Sequence, residues 1–195
     1  QRLREIAISP DAAIGQRQLD KARGLTYAAD GQHLRVFTDG SCLHPRHDIL
    51  SHAGWGFTLG PATELRDFGP VCGPVQTCFR AELRAAAQAV ARIRVPFELV
   101  SDCKALVNML VGYQARHQRP SELHPASALL DFMFDAIDGA PPEFYKFRWV
   151  PSHLDDLKRE SKKRQALLQG VVDSDDILGN VAADDAACAG ARSHL

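Results

Sequence analysis

The alternation of apolar and polar positions changes character along the chain. Residues 1–33 carry no sustained period; "LREIAI" and "QRQLDKARGLTYA" fit short helical or extended pieces equally, so this stretch is expected to be a lead-in or linker. From "HLRVFTDGS" the pattern sharpens. Leu34, Val36 and Thr38 alternate with Arg35 and Phe37 until Asp39-Gly40 interrupts the run, which predicts a strand ended by a turn. "AGWGFTLG" and "ELRDFGPV" are two further β-rich runs bounded by Gly and Pro, a meander with the first. In "CFRAELRAAAQAVARIR" the period lengthens: Leu83, Ala86, Ala87, Val90 and Ile93 share one helical face, with Pro96 beyond its end. "FELVSD" is short and apolar, a buried strand ending at Asp102. Helical patterns follow near 103–113 and 121–138, then the aromatic strand "FYKFRWV" stopped by Pro151. The alanine-rich "GNVAADDAACAG" closes the series as a helix starting at Gly179-Asn180, with Asn180 the expected N-cap. Three strands, then helix, strand, helices, strand and helix predict an α/β layer around a mixed sheet.

Composition narrows this only slightly. The 195 residues suit one domain, and 45% hydrophobic with 24% charged residues is ordinary for a globular core. A formal net charge of −1 gives no sign of a nucleic-acid partner, so one would have to be held by local patches. No run has the apolar length of a membrane span, so no membrane partner is expected. Five cysteines without a CxxC pair predict reduced, mostly buried thiols in a cytoplasmic or nuclear protein.

The candidate chemistry lies in four acids: Asp39 in "FTDGS", Glu82 in "RAEL", Asp102 in "VSDC" and Asp184 in "AADDAA". Asp39 and Asp102 close strands, where open α/β sheets tend to place ligands. Glu82 is early in a helix whose apolar face must meet the sheet. Clustered carboxylates raise one another's pKa unless a cation neutralises them. Hard divalent ions take oxygen ligands, and a pair of them serves phosphodiester displacement. With no zinc-type ligand set, the acids point to metal-assisted phosphoryl transfer. Helical periodicity leaves Asp184 and Asp185 equally placed, and a solvated helix start explains both.

"VFTDGSC", "QTCFRAEL", "LVSDCKALVNML", "WVPSH" and "GNVAADDAA" resemble, in order and context, motifs of the ribonuclease H family over residues 34–190. The chain looks like a type 1 enzyme, and "WVPSH" resembles the versions fused to reverse transcriptases in retrotransposons. The resemblance implies a ribonuclease H-like fold, a five-stranded mixed sheet flanked by helices, spanning 34–195. It implies hydrolysis of the RNA strand of RNA–DNA hybrids, leaving 5′-phosphates, with two Mg²⁺ ions or Mn²⁺ in their place. An upstream reverse transcriptase domain in the same polypeptide is the implied protein partner. Asp39, Glu82, Asp102 and Asp184 match the metal-binding acids, the last chosen over Asp185 by the "GNxxAD" match. His153 matches a loop histidine assisting proton transfer or product release. Gly40, Ser41, Gln76, Thr77, Arg80 and Asn180 fall where the family contacts its substrate.

Departures accompany the match. Cys78 and Phe79 follow Gln76-Thr77 where the family commonly has Asn, and Ser152 stands in place of a frequent Gly. Residues 154–178 form a long insertion where many relatives need only a few residues. Its bases Lys158, Arg159, Lys162, Lys163 and Arg164 fit either phosphate binding or a solvated helix with i,i+4 pairs to Asp155, Asp156 and Glu160. Cys42, His44 and His47 lack a second ligand pair at zinc spacing, and Trp55, Trp149 and "FYKFRWV" are expected to be core packing. Two other functions stay open: a catalytically silent hybrid-binding or connector module of a larger reverse transcriptase, and a different nuclease on the same fold.

Overall fold

The structure, a computed structural model, describes residues 13–47, 50–119 and 126–194; the first twelve residues of the lead-in and the start of the expected 121–138 helix lie outside them. In chain order the elements are α1 (Gln16–Leu19), β1 (Leu34–Leu43), β2 (His52–Thr58), β3 (Arg66–Pro70), α2 (Cys78–Arg92), β4 (Phe97–Ser101), α3 (Lys104–Arg116), α4 (Ser127–Gly139), β5 (Tyr145–Trp149), a 3₁₀ turn (Leu157–Arg159), α5 (Glu160–Leu168) and α6 (Ser174–Arg192). The five strands make one mixed sheet in the order β3-β2-β1-β4-β5, as expected. β1 pairs antiparallel with β2 and parallel with β4, and β5 extends the parallel half beyond β4.

Period-two alternation along β1 and β4 feeds two cores, one on each face of the sheet. Val36 and Leu99 point into the larger, where Leu83 and Ala86 of α2, Leu106 and Leu110 of α3 and Phe134 of α4 pack. Their neighbours Phe37 and Val100 point the other way, onto Ile177 and Ala183 of α6. Leu154, Ala166 and Val172 of the insertion complete that second core, so the insertion is packed at its base rather than hung from the domain. Residues 13–33 are likewise tied in: Ile14 bridges to Ile93, and the Arg35 N–H donates to the Thr26 carbonyl at 2.8 Å.

Several expectations are corrected. Asp39-Gly40 is no turn: β1 runs on to Leu43, paired with β2 throughout. Gly40 is needed for close approach instead, because a Cβ there would lie 2.1 Å from the backbone nitrogen of Glu82. The last helix does not start at Gly179-Asn180. It starts at Ser174, capped by Asp173, whose carboxylate accepts from the Asp176 N–H while Asp176 reaches back to the Asp173 N–H. Asn180 is therefore inside α6, and residues 174–178 of the insertion are its first turn and a half. Gly179 serves packing: a Cβ there would lie 2.4 Å from the Phe37 ring. Nor are the thiols buried; Cys72 and Cys78 are exposed and Cys42, Cys103 and Cys188 half-buried, all free. β5 is half-buried along its whole length, as the edge strand of the sheet.

Candidate active site

Register brings the first two acids together. Thr38 of β1 stands beside Ser101 of β4 in parallel pairing, so Asp39 and Asp102, the next residue of each strand, emerge side by side. Glu82 arrives from the opposite face. Gly40 lets the first turns of α2 lie directly on β1, and Glu82 is buried there against the sheet. Asp39, Glu82 and Asp102 offer ligand atoms all within 4.8 Å of one another, the one such cluster of His, Cys, Asp or Glu among the described residues. Cys42, His44 and His47 form none, in keeping with their sequence spacing.

Helix α6 supplies the fourth side, and its phase decides between the paired acids. Asn180 donates to the Asp102 carboxylate at 3.3 Å, and Cys188, eight positions on, lies 3.3 Å from the Ser41 hydroxyl of β1. Residue 184 is one turn from each, on the same stripe. Asp184 is half-buried and near enough for its charge to act on Asp39, although it is outside the 4.8 Å cluster, whereas Asp185 is exposed. Phase follows from where the helix starts, and that start is pinned by ion pairs the sequence reading missed. Arg148 of β5 grips Asp176 through two hydrogen bonds of 2.9 and 2.6 Å and also meets Glu98 at 3.0 Å, while Arg35 bonds Asp173 at 2.6 Å. The signal available was the acid spacing in "DSDD", a capping box ahead of the alanine run.

The electrostatics of the two ends differ sharply. Burial, then the Asp102 and Asp184 charges, push the Asp39 carboxyl up to about 8. Burial and Asp39 hold Glu82 well above the ordinary carboxylate range. Asp102 is also raised by burial, against the opposing pull of its Asn180 hydrogen bond and of His153. Among the described residues no Lys or Arg forms an ion pair with Asp39, Glu82 or Asp102. The Glu82 Oε2 is buried and has no hydrogen-bond partner. Like charges so placed, with an oxygen left over, fit a hard divalent cation better than any ligand bearing anionic oxygens alone.

The remaining residues sort into walls and supports. His153 is exposed, in the left-handed backbone region at φ 52°, on a loop held by an Arg159 hydrogen bond to the Ser152 carbonyl at 2.9 Å. Gln76 has its amide committed to backbone: it donates to Val71 and Gly73 at 2.8 and 2.6 Å and accepts from Ala53 at 2.8 Å. Thr77 is the N-cap of α2, accepting from the Arg80 N–H, and Arg80 donates to the Val75 carbonyl at 3.0 Å. These three build the loop beside β1 that leads into the Glu82 helix. Trp55 is buried core, but Trp149 is not. Its indole N–H donates to the Asp102 carbonyl at 3.0 Å, and the Lys104 ammonium lies 5.2 Å from its ring centre.

A family model, RNase H, matches residues 31–192. The chain belongs to the RNase H family. Solved RNase H structures share its fold. The PFV RNase H domain, determined in solution, is 18% identical, with a TM-score of 0.55 over 85% of this chain and 98% of that one. A prototype foamy virus protease–reverse transcriptase, a CSH mutant, is 16% identical with a TM-score of 0.57 over 89% of this chain and 22% of that one. A foamy viral protease–reverse transcriptase in complex with RNA/DNA hybrid is 17% identical, with a TM-score of 0.50 over 82% and 20%. Among curated proteins none matches. Among the described residues no helix is long and apolar enough to cross a membrane.

Proposed function

We propose that this RNase H domain is a metal-dependent endonuclease that hydrolyses the RNA strand of RNA–DNA hybrids, working beside a reverse transcriptase domain of a retroelement-type polypeptide. One observation carries the reading: two buried carboxylates and a half-buried one, Asp39, Glu82 and Asp102, within 4.8 Å of one another, with no Lys or Arg among the described residues paired to any of them. Family membership supports the substrate class, and the foamy viral neighbours, whose matched portion is about a fifth of each protease–reverse transcriptase chain, support the reverse transcriptase setting.

Asp39, Glu82, Asp102 and Asp184 are the residues that would hold Mg²⁺ or Mn²⁺. Such ions, when bound, supply Lewis-acid polarisation and neutralise the charge that builds up in phosphodiester displacement. The chain's own residues do the rest. Asn180 fixes the rotamer of Asp102 from α6, and the Trp149 N–H fixes the backbone carbonyl of the same residue. His153 stands where its imidazole reaches the field of Asp102, and a ring nitrogen there suits passing a proton to the departing oxygen. Gly40 lets α2 close on β1 and Ser41 meets Cys188 of α6, and discrimination for RNA comes from contacts to the 2′-hydroxyl.

A labelled RNA–DNA hybrid incubated with Mg²⁺, beside duplex RNA and duplex DNA of the same sequence, tests this. Cleavage confined to the RNA strand of the hybrid is expected. Absence of cleavage with both Mg²⁺ and Mn²⁺ would sink the reading and leave a silent hybrid-binding module, whereas cleavage of duplex DNA alone would favour a different nuclease.

A further inference from the structure

The insertion carries charge that the domain itself does not use. Lys158, Lys162 and Arg164 are exposed and Lys163 half-buried, and among the described residues none of the four forms an ion pair. A merely solvated helix would place Glu160 against Arg164 at i,i+4, and that pair is not made. Asp156 is engaged otherwise, its carboxylate capping the Lys158 N–H at 2.9 Å. The fifth base of the run, Arg159, is spent on the His153 loop through the Ser152 carbonyl.

The place of these bases in the fold is set by what the insertion packs on. Leu154, Ala166 and Val172 meet Phe37, Val100 and Ala183, each one or two residues from Asp39, Asp102 or Asp184. The 3₁₀ turn that leads into α5 is tied to the His153 loop through Arg159, and α5 itself is anchored to this core through Ala166. Only Ala166 of its nine residues is buried, so the helix presents nearly all of its surface outward. A double helix laid across the acids and past His153 meets it there, and its phosphates match the unpaired bases.

Resting on the hybrid-cleaving reading above, we infer that the 3₁₀ turn and α5 grip the sugar-phosphate backbone of the hybrid beyond the reacting phosphate, through Lys158, Lys162, Lys163 and Arg164. This contact is sequence-independent and salt-sensitive. It lengthens the footprint of a domain whose net charge of −1 gives no general attraction for nucleic acid.

The test changes Lys158, Lys162 and Arg164 together to Ala and follows a fluorescent RNA–DNA hybrid by anisotropy, without divalent cation, over a series of KCl concentrations. The expected affinity loss at low salt is at least about tenfold, and the log–log salt slope shrinks by about 0.9 for each phosphate contact removed, roughly two to three in all. In the cleavage assay KM rises by the same factor. Lys158→Arg with Lys162→Arg keeps the affinity, and thermal melting shows that the triple variant is folded. Unchanged affinity and slope in the folded variant overturns the inference. So does unchanged hybrid binding with weakened docking of a reverse transcriptase domain, which would assign the surface, with its exposed Leu157 and Leu168, to protein. Binding needs no catalysis, so a protein that cuts no hybrid yet loses the salt slope on substitution keeps the grip and refutes only the nuclease. An unmodified chain that binds no hybrid overturns both.

Discussion

At the start of α6, Glu98, Asp173 and Asp176 are met by Arg35 and Arg148. At the carboxyl ends of β1 and β4, Asp39 and Asp102 gather with Glu82, which reaches them from α2, and no Lys or Arg of the described residues pairs with any of them. Each group includes two acids taken out of water, Glu98 and Asp176 in the first and Asp39 and Glu82 in the second. In one the chain brings its own cations, so the acids act as a clamp that fixes where a helix begins. In the other the charge is left over, and burial with mutual repulsion pushes the carboxyls up. Holding carboxyls within 4.8 Å of one another costs stability that a neutralised cluster would not. A fold keeps such a cost at a site where something else supplies the charge.

Asp102→Asn strikes the unneutralised group directly. It is expected to reduce hybrid cleavage at least about 1,000-fold, roughly 4 kcal/mol of lost transition-state stabilisation, without unfolding the chain. Activity within tenfold of the unmodified protein would remove Asp102 from the site. Arg148→Ala strikes the neutralised group and leaves Asp176, 2% exposed, without its bidentate partner. Here the loss is of stability, about 3–5 kcal/mol, read as a fall in melting temperature of at least roughly 6 °C. Cleavage at low temperature should persist. If Arg148→Ala abolishes cleavage in a folded protein, the two groups are not separable in function. The smallest contrast lies within α6: Asp184→Asn is expected to cost about 100-fold in cleavage and Asp185→Asn less than about twofold. Equal effects would contradict the helical phase that turns Asp184 inward.

That phase shows how far the sequence could be read. The five strands, the long helix α2 and the nearness of strand ends to acids were legible because the apolar period switches cleanly between two and 3.6. Asp39-Gly40 was misjudged because Asp-Gly is turn chemistry in a local window. Only the tertiary contact of Gly40 with Glu82 explains why that glycine sits inside a strand. The start of α6 was missed for a related reason: Gly179-Asn180 looks like a cap, yet the capping box that begins six residues upstream, at Asp173, is completed by Arg35 and Arg148 from distant strands. Asp176 carries no apolar period, so its burial is a property of partners rather than of pattern. Trp149 was expected in the core, but its place on an edge strand leaves it half-buried against Asp102.

The most direct test of the central contrast is the melting temperature of the unmodified chain and of Asp39→Asn, with chelator and with Mg²⁺ or Mn²⁺, as pH rises. In the folded, cation-free chain Asp39 holds its proton up to about 8, whereas an unfolded aspartate releases it near about 4. The folded state binds more protons across that window, so stability must fall as pH rises through it, and a divalent cation must restore what is lost. The account predicts a cation-dependent rise of roughly 2–8 °C at the alkaline end, about 1–2 kcal/mol, that shrinks toward acid pH and vanishes in Asp39→Asn. A melting temperature of the unmodified chain indifferent to both pH and divalent cation would contradict it.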